Sequence, residues 1–203
     1  MDNAPFLSPP ILAALFSFTL VSSVTPGPNN IMLAVSGVNF GLRRTLPQMM
    51  GIFCGLMLIV IGTGLGLGLV FSHYPLVRDA LRIGGILYTL WLAWKIATAG
   101  SLGGGDLPHP LRFGAAFAFQ WVNVKLWVMA VATVALYVRP GHTLADTAVV
   151  TLVLATINWP VMFLWAGFGA ALRDILQIPS RIRIFNMVMG LALAASVIAL
   201  FRM

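Results

Sequence analysis

Apolar residues run along this chain in long blocks, and polar residues gather in the short stretches between them. Ile11 to Val24 holds no charge, the hexapeptide TPGPNN follows at Thr25–Asn30, and a second apolar run goes from Ile31 to Phe40. Reading the whole chain this way predicts six hydrophobic segments: about 7–41 (interrupted by the hexapeptide), 47–71, 76–98, 113–138, 144–171 and 181–202. Several approach the roughly 20 apolar residues that a helix needs to cross a bilayer. The pattern predicts an all-α integral membrane protein with six transmembrane helices, the first of them broken.

Composition agrees. Of 203 residues, 60% are hydrophobic and 8% are charged, against about 25% charged in a soluble domain, so there is too little polar material to coat a globule. The net charge of +7 would point to nucleic acid in a soluble protein. Here nearly all the basic residues lie in short connections, where they set membrane orientation. The expected partner is the lipid bilayer and no nucleic acid. Cys54 is the single cysteine, which excludes an internal disulfide or a two-thiol relay and reads as a packing residue. Asp2 is the one charge ahead of the first apolar run, so the basic start of a signal peptide is missing and that run is expected to stay as a span.

The stretch 101–110, SLGGGDLPHP, is the clearest linker. It divides a single transporter domain, 1–203, into halves of about 1–100 and 111–203 with three spans each. An odd number of spans per half makes the second half enter from the opposite side, which is the plan of an inverted-topology repeat. Connections holding Arg43, Arg44, Lys95, Arg112, Arg173, Arg181 and Arg183 outweigh those holding Arg78, Arg82, Arg139 and Arg202. The richer side is expected in the cytoplasm, with both termini outside. Gly51 and Gly55, Gly62 and Gly66, and Gly64 and Gly68 recur at a spacing that permits close helix packing. Tyr88 and Tyr137 read as interfacial anchors.

Segment 7–41 would measure roughly 50 Å as one helix, well beyond the roughly 30 Å hydrocarbon core. Pro26 and Pro28 lack an N–H and clash with the carbonyls of Ser22 and Val24, so the helix is expected to break between them. Non-helical backbone at membrane depth is tolerated where it lines a wet cavity or is buried in protein. Around Gly27, the freed carbonyls would accept from an ammonium group. The N–H groups near Asn29, Asn30 and Ile31 would open a helix whose positive end attracts a carboxylate. The alternative is a plain proline kink with the asparagines bonded to neighbouring helices.

The fourth segment carries FQWVNVK at 119–125. Gln120 and Asn123 share a helix face. Lys125 lies about a dozen residues from either end, where a charge costs at least ~2.5–3.5 kcal/mol on insertion scales and normally faces the bundle interior. The alternative is a lysine that snorkels because the span starts later, near Val122. Pro28 lies 15 residues before Arg43 and Lys125 lies 13 after Arg112. If both stretches are helical, the two clusters share one depth and meet at one site. Asn158 in the fifth span and Asn186 in the sixth are further acceptors for the lysine.

These motifs resemble one family. TPGPNN after the first run, SGVNFGLRRTLPQMMGI beyond it, GILYTLWLAWKIATAG closing the third segment and FQWVNVKLWVMAV in the fourth are similar to the LysE/RhtB family of amino-acid exporters over nearly the whole chain. LWLAWKIATAG with FAFQWVNVK is most similar to members that export cysteine and O-acetylserine. The resemblance implies six spans, an inner-membrane location and proton-driven efflux of amino acids. It would assign the proline-glycine-proline motif to Pro26, Gly27 and Pro28, and the fourth-span motif to Asn123 and Lys125. Many members have proline between that asparagine and lysine. Val124 stands there in this chain, which predicts a less broken fourth helix.

The substrate site is thus expected at Pro26, Gly27, Pro28, Asn29, Asn30, Gln120, Asn123, Lys125 and Asn158. No carboxylate is read at membrane depth, so proton coupling falls to Lys125, since lysine can release and regain a proton where arginine hardly can. An intramembrane enzyme would need a nucleophile–base pair or metal ligands within the spans. His73, His109 and His142 all lie in connections, so no catalytic residue, metal site or cofactor is expected. A passive amino-acid channel and an exporter of threonine, homoserine or leucine are the alternatives, and a homo-oligomer is left open.

Overall fold

The computed structural model describes residues 8–67, 73–99 and 110–201, and those residues form helices and connections with no strand. Helices α1 (Pro9–Val24) and α2 (Pro28–Phe40) are followed by α3 (Leu42–Gly62), which runs on into a π-helical turn at Thr63–Leu67. Then come α4 (Pro75–Thr98), α5 (Phe113–Val122), α6 (Val124–Tyr137), α7 (Thr143–Leu172), a 3-10 turn at Ile175–Gln177 and α8 (Pro179–Phe201). Pro9, Pro28 and Pro75 each open a helix. A ring that fixes φ and lacks an N–H costs nothing there, because the first N–H groups have no intrahelical partner.

Two helix pairs are bent at short breaks, α1–α2 by 52° and α5–α6 by 66°. The first break falls where the prolines predict it. The second is the sharper, although Val124 stands where a proline would force it. Asn123 leaves the helical region (φ −80°, ψ 95°), and its side chain accepts from the Leu126 N–H to open α6. The expectation of a less broken fourth helix is therefore corrected: an asparagine N-cap restarts the helix as effectively as a proline.

Three helical stretches, Leu42–Leu67, Thr143–Leu172 and Pro179–Val197, are long and apolar enough to cross a membrane, and each bent pair would add one more. Helix α4 has 24 residues, but Arg78, Asp79, Arg82 and Lys95 keep it outside that group. Apolar side chains point outward where a soluble protein would place polar ones. Leu76 is 82% exposed and Leu144 is 74% exposed. The linker at 101–110 lies outside the described residues up to 109.

Close backbone contact holds the bundle. A Cβ on Gly37 of α2 would lie 2.1 Å from the Ala166 carbonyl oxygen, and one on Gly169 of α7 would lie 2.0 Å from that of Ala34. Each glycine admits the other helix's backbone. Gly51 and Gly55 do the same for α5, at Phe113 and at Phe117 with Gln120. Helices without a hydrophobic drive between them associate through such small-residue contacts. Not every glycine pair serves this end. Gly62 faces Leu67 of its own chain turn, and Gly66 sits at φ 104° inside the π-helical kink, where glycine avoids the Cβ strain.

Other expectations shift too. Helix α3 begins at Leu42 rather than near 47, because Gly41 (φ 79°) turns the chain sharply and Arg43, Arg44 and Pro47 enter the helix. Tyr88 sits within α4, half-buried, with ring centroids 5.5 Å from Phe119 and 5.6 Å from Trp91. Between α6 and α7, Arg139 clamps the buried Asp146 by two guanidinium bonds of 2.9 and 3.0 Å.

Candidate functional site

Between Val24 and Pro28 the chain has no helical bonding of its own to offer, so its polar groups must find partners elsewhere. Thr25 closes α1 by donating its N–H to the Val21 carbonyl at 3.1 Å. Gly27 then runs fully extended (φ −167°, ψ 178°), and Ile31 N–H bonds back to the Gly27 carbonyl at 3.0 Å to begin α2. The amide of Asn30 folds back over the gap, donating to the Ser23 carbonyl at 2.6 Å and to the Thr25 carbonyl at 3.1 Å. Asn30 is thereby a brace across the break. The carbonyls engaged are those of Ser23 and Thr25, one residue beyond the expected Ser22 and Val24.

The other break comes to this one. Lys125 Nζ donates to the Thr25 carbonyl at 2.7 Å. Gly27 makes room for it: a Cβ there would lie 2.7 Å from Lys125 Cδ and 2.9 Å from Nζ. One turn away, Asn29 Nδ2 donates to Gln120 Oε1 at 2.8 Å while Gln120 Nε2 donates to Asn29 Oδ1 at 3.1 Å. Gln120 is fully buried, and it also donates to the Ala116 carbonyl at 2.9 Å. Asn123 Nδ2 approaches the same Gln120 oxygen at 3.4 Å. Two amides that satisfy one another in low dielectric form a firm link, since either alone would leave buried polar atoms unmet.

A small, open cleft lies beside this junction. Its polar wall includes Ser22, Asn29, Asn30, Asn123, Lys125 and Asn158, and its apolar wall is Leu56, Leu126 and Met129. Asn158 reaches the site from the middle of α7, its oxygen accepting from Ser23 Oγ at 3.1 Å and its amide donating to the Leu154 carbonyl at 2.9 Å. No lining residue is acidic. The sequence-predicted residues therefore gather in one place, although two do not line the cleft: Pro26 belongs to the break, and Gln120 joins through its bonds to Asn29. Asn186 does not join them: it is fully buried in the α4–α8 seam and donates to the Ala99 carbonyl at 3.1 Å. Ser23 and the Thr25 carbonyl were missed as contributors, and the polar SSVT run ahead of the prolines was the available signal.

The electrostatics follow from the chain directions. Helices α2 and α6 both begin at the junction, so two positive helix ends converge there with an ammonium group. Helices α1 and α5 both end there and supply carbonyls. Such an arrangement can hold a carboxylate and an amine at once. Among the described residues, no cluster of His, Cys, Asp or Glu could hold a metal ion.

The family described as LysE type translocator matches residues 20–202. The cysteine/O-acetylserine efflux proteins of Escherichia coli (strain K12) and Shigella sonnei (strain Ss046) are each 33% identical over 167 residues, covering 80% of this chain and 84% of the relative. No solved structure gives a significant match.

Proposed function

The chain belongs to the LysE type translocator family, and from that premise we propose that it exports small neutral amino acids or their derivatives, such as cysteine or O-acetylserine, out of the cytoplasm. The observation that carries this reading is the Lys125–Thr25 bond at 2.7 Å, which joins the two helix breaks at a cleft with no lining acid. A half-buried ammonium group facing only dipoles leaves an uncompensated charge, which a substrate carboxylate would balance. The N-termini of α2 and α6 would add to that attraction, and the amine would turn to the carbonyls where α1 ends. Leu56, Leu126 and Met129 would take a short, uncharged side chain.

We further infer six spans in two inverted halves, in an inner membrane with both termini outside. The packing pattern supports this. With each bent pair counted as one span, the first packs on the fifth and the fourth on the second, while the third packs on the sixth. Exchanging the halves leaves that list unchanged, as an inverted repeat requires. Lys125 would couple export to protons by releasing and regaining one as the substrate carboxylate leaves and returns.

Vesicles containing the purified protein test the proposal with a panel of cysteine, O-acetylserine, threonine, homoserine and leucine. Uphill movement of cysteine or O-acetylserine, abolished by an uncoupler, is the expected result. Movement that only equilibrates the two sides would make the protein a passive channel. A preference for leucine or threonine would overturn the substrate.

A further inference from the structure

A stripe of buried hydroxyls leads away from the cleft. The buried positions of α1 are Leu15, Thr19 and Ser23, every fourth residue, so they make one stripe. Ser23 bonds Asn158 of α7, and both line the cleft. The same stripe therefore turns Thr19 toward α7. On α7, Thr147 and Thr151 precede Asn158 by eleven and seven residues, which puts all three on one face.

Chain direction fixes where the stripe leads. The ring centroids of Phe18 and Tyr137 lie 6.3 Å apart, so the end of α6 stands beside the middle of α1. Arg139 holds Asp146 at 2.9 Å, which sets the start of α7 at that same level. Thr19 lies ~6 Å from Ser23 along α1, and Thr151 and Thr147 lie ~10 and ~16 Å from Asn158 along α7, at ~1.5 Å per residue. The stripe runs from the cleft to the face where α7 begins, external in the orientation proposed above.

A threonine inside a helix can turn its hydroxyl back to the carbonyl four residues earlier. Thr63, Thr89 and Thr133 do so at 2.7 Å. Thr19, Thr147 and Thr151 do not: their hydroxyl oxygens are buried and meet no partner among the described residues. Thr19 is 1% exposed and Thr147 3%. Gly64, in the π-helical end of α3, leaves the space that the Thr147 side chain fills. An unmet buried hydroxyl costs stability, so three along one stripe call for a use. Toward the opposite face α7 is sealed instead, with Gly169 against the Ala34 backbone and Gly37 against that of Ala166.

We propose that Thr19, Thr151 and Thr147 line a release route, closed in this conformation, along which the amino acid leaves the cleft for the face where α7 begins. The inference rests on the export reading above and adds the route to it. A hydroxyl both donates and accepts, so it can meet the ammonium and the carboxylate in turn. Carrying no charge, it holds neither as tightly as an ion would, and release requires that. When the seam parts, hydroxyls that lack partners in the closed bundle gain water and substrate.

The test uses the full chain in vesicles, with Cys54→Ala removing the native thiol and O-acetyl-L-serine as the exported amino acid, because it has no thiol of its own. Thr19→Cys, Thr147→Cys and Thr151→Cys are each exposed to a membrane-impermeant methanethiosulfonate from either face in turn. During export each should be modified from the face where α7 begins, about tenfold faster than without substrate, as a ligand-shifted population allows. Thr45→Cys, at the start of α3, should stay unmodified from that face. Modification from the other face, or at none of the three positions, would overturn the route. Thr19→Val and Thr151→Val keep the shape and remove the hydroxyl, and they carry the test should a cysteine variant fail to reach the membrane. Each should slow export about three- to tenfold with a melting temperature no lower than that of the wild type, whereas Thr19→Ser should export normally. Normal export by the valine variants, or export lost together with thermal stability, would also overturn it. A wild-type chain that moves no O-acetyl-L-serine fails the export reading itself, whereas wild-type export beside unmodified variants removes only the route.

Discussion

Lys125 and Thr25 stand 100 positions apart in the chain, yet the lysine ammonium donates to the threonine carbonyl at 2.7 Å. This bond joins the two helix breaks. Lys125→Met keeps the length and removes the charge; it should leave the protein folded and lower export by more than about tenfold, or 1.4 kcal/mol of transition-state stabilisation. Lys125→Arg keeps the charge but hardly deprotonates. It should bind amino acid, as read by ligand-induced thermal stabilisation, and fail to export against a gradient. Wild-type export by Lys125→Met would reduce the lysine to a snorkelling residue.

Gly27 offers a test that spares the lysine. Its missing Cβ leaves room for the flexible tip of Lys125 rather than for backbone, so Gly27→Ala should fold normally. It should displace the ammonium from Thr25 and raise the KM for export about three- to tenfold, as expected for a lost charge-assisted bond. A KM equal to wild type would mean that the observed lysine position does not matter for binding.

The reciprocal amides of Asn29 and Gln120 should behave as one unit. Asn29→Leu leaves the buried Gln120 unmet and Gln120→Leu the half-buried Asn29, and each should cost about 1–3 kcal/mol, the first more than the second. The double variant should lose less than the sum, with a coupling of about 0.5–3 kcal/mol. Thermal unfolding in detergent reads this directly. Additive losses would show that the pair does not link α2 to α5.

Gly37→Ala and Gly169→Ala each place a methyl group about 2 Å from a carbonyl oxygen of the facing helix. Backbone cannot step aside as a side chain can. Each variant should lose about 1–3 kcal/mol, the usual cost of overpacking, and the same measurement checks it. Gly167→Ala, with nothing within 4 Å of its Cβ position, should unfold with the wild type.

Orientation has its own assay. A reporter fused after Gly104 should be cytoplasmic and one after Met203 should be external. Both on one side would contradict six spans.

How much of this was legible in the chain depended on whether a residue's effect is local. Pro26 and Pro28 break a helix through their own missing N–H groups, so the first break could be read directly. Asn123 breaks the second by adopting a conformation that asparagine permits but does not require, and Val124 gave no warning. Arg43 and Arg44 read as a connection because charge normally marks one, yet the turn at Gly41 alone is enough to start α3 before them. The gathering of Gln120, Asn123, Lys125 and Asn158 could be anticipated from depth along each segment. Which carbonyl the lysine would find depended on the extended backbone at Gly27, and Asn186 was misplaced because depth says nothing about which side of a helix faces the site.

The crossing of α2 and α7 at Gly37 and Gly169 has a mechanical meaning. Where backbone rests on backbone, no side chain lies between the helices to deform, so the two must travel as one rigid lever. The same holds for α3 and α5 at Gly51, where the nearest atom is the Phe113 carbonyl oxygen. On the export function proposed above, exposing the cleft first to one side and then to the other would swing one lever past the other. The bending has to be absorbed at Thr25–Gly27 and at Asn123, the joints where the chain has already given up its helical bonds.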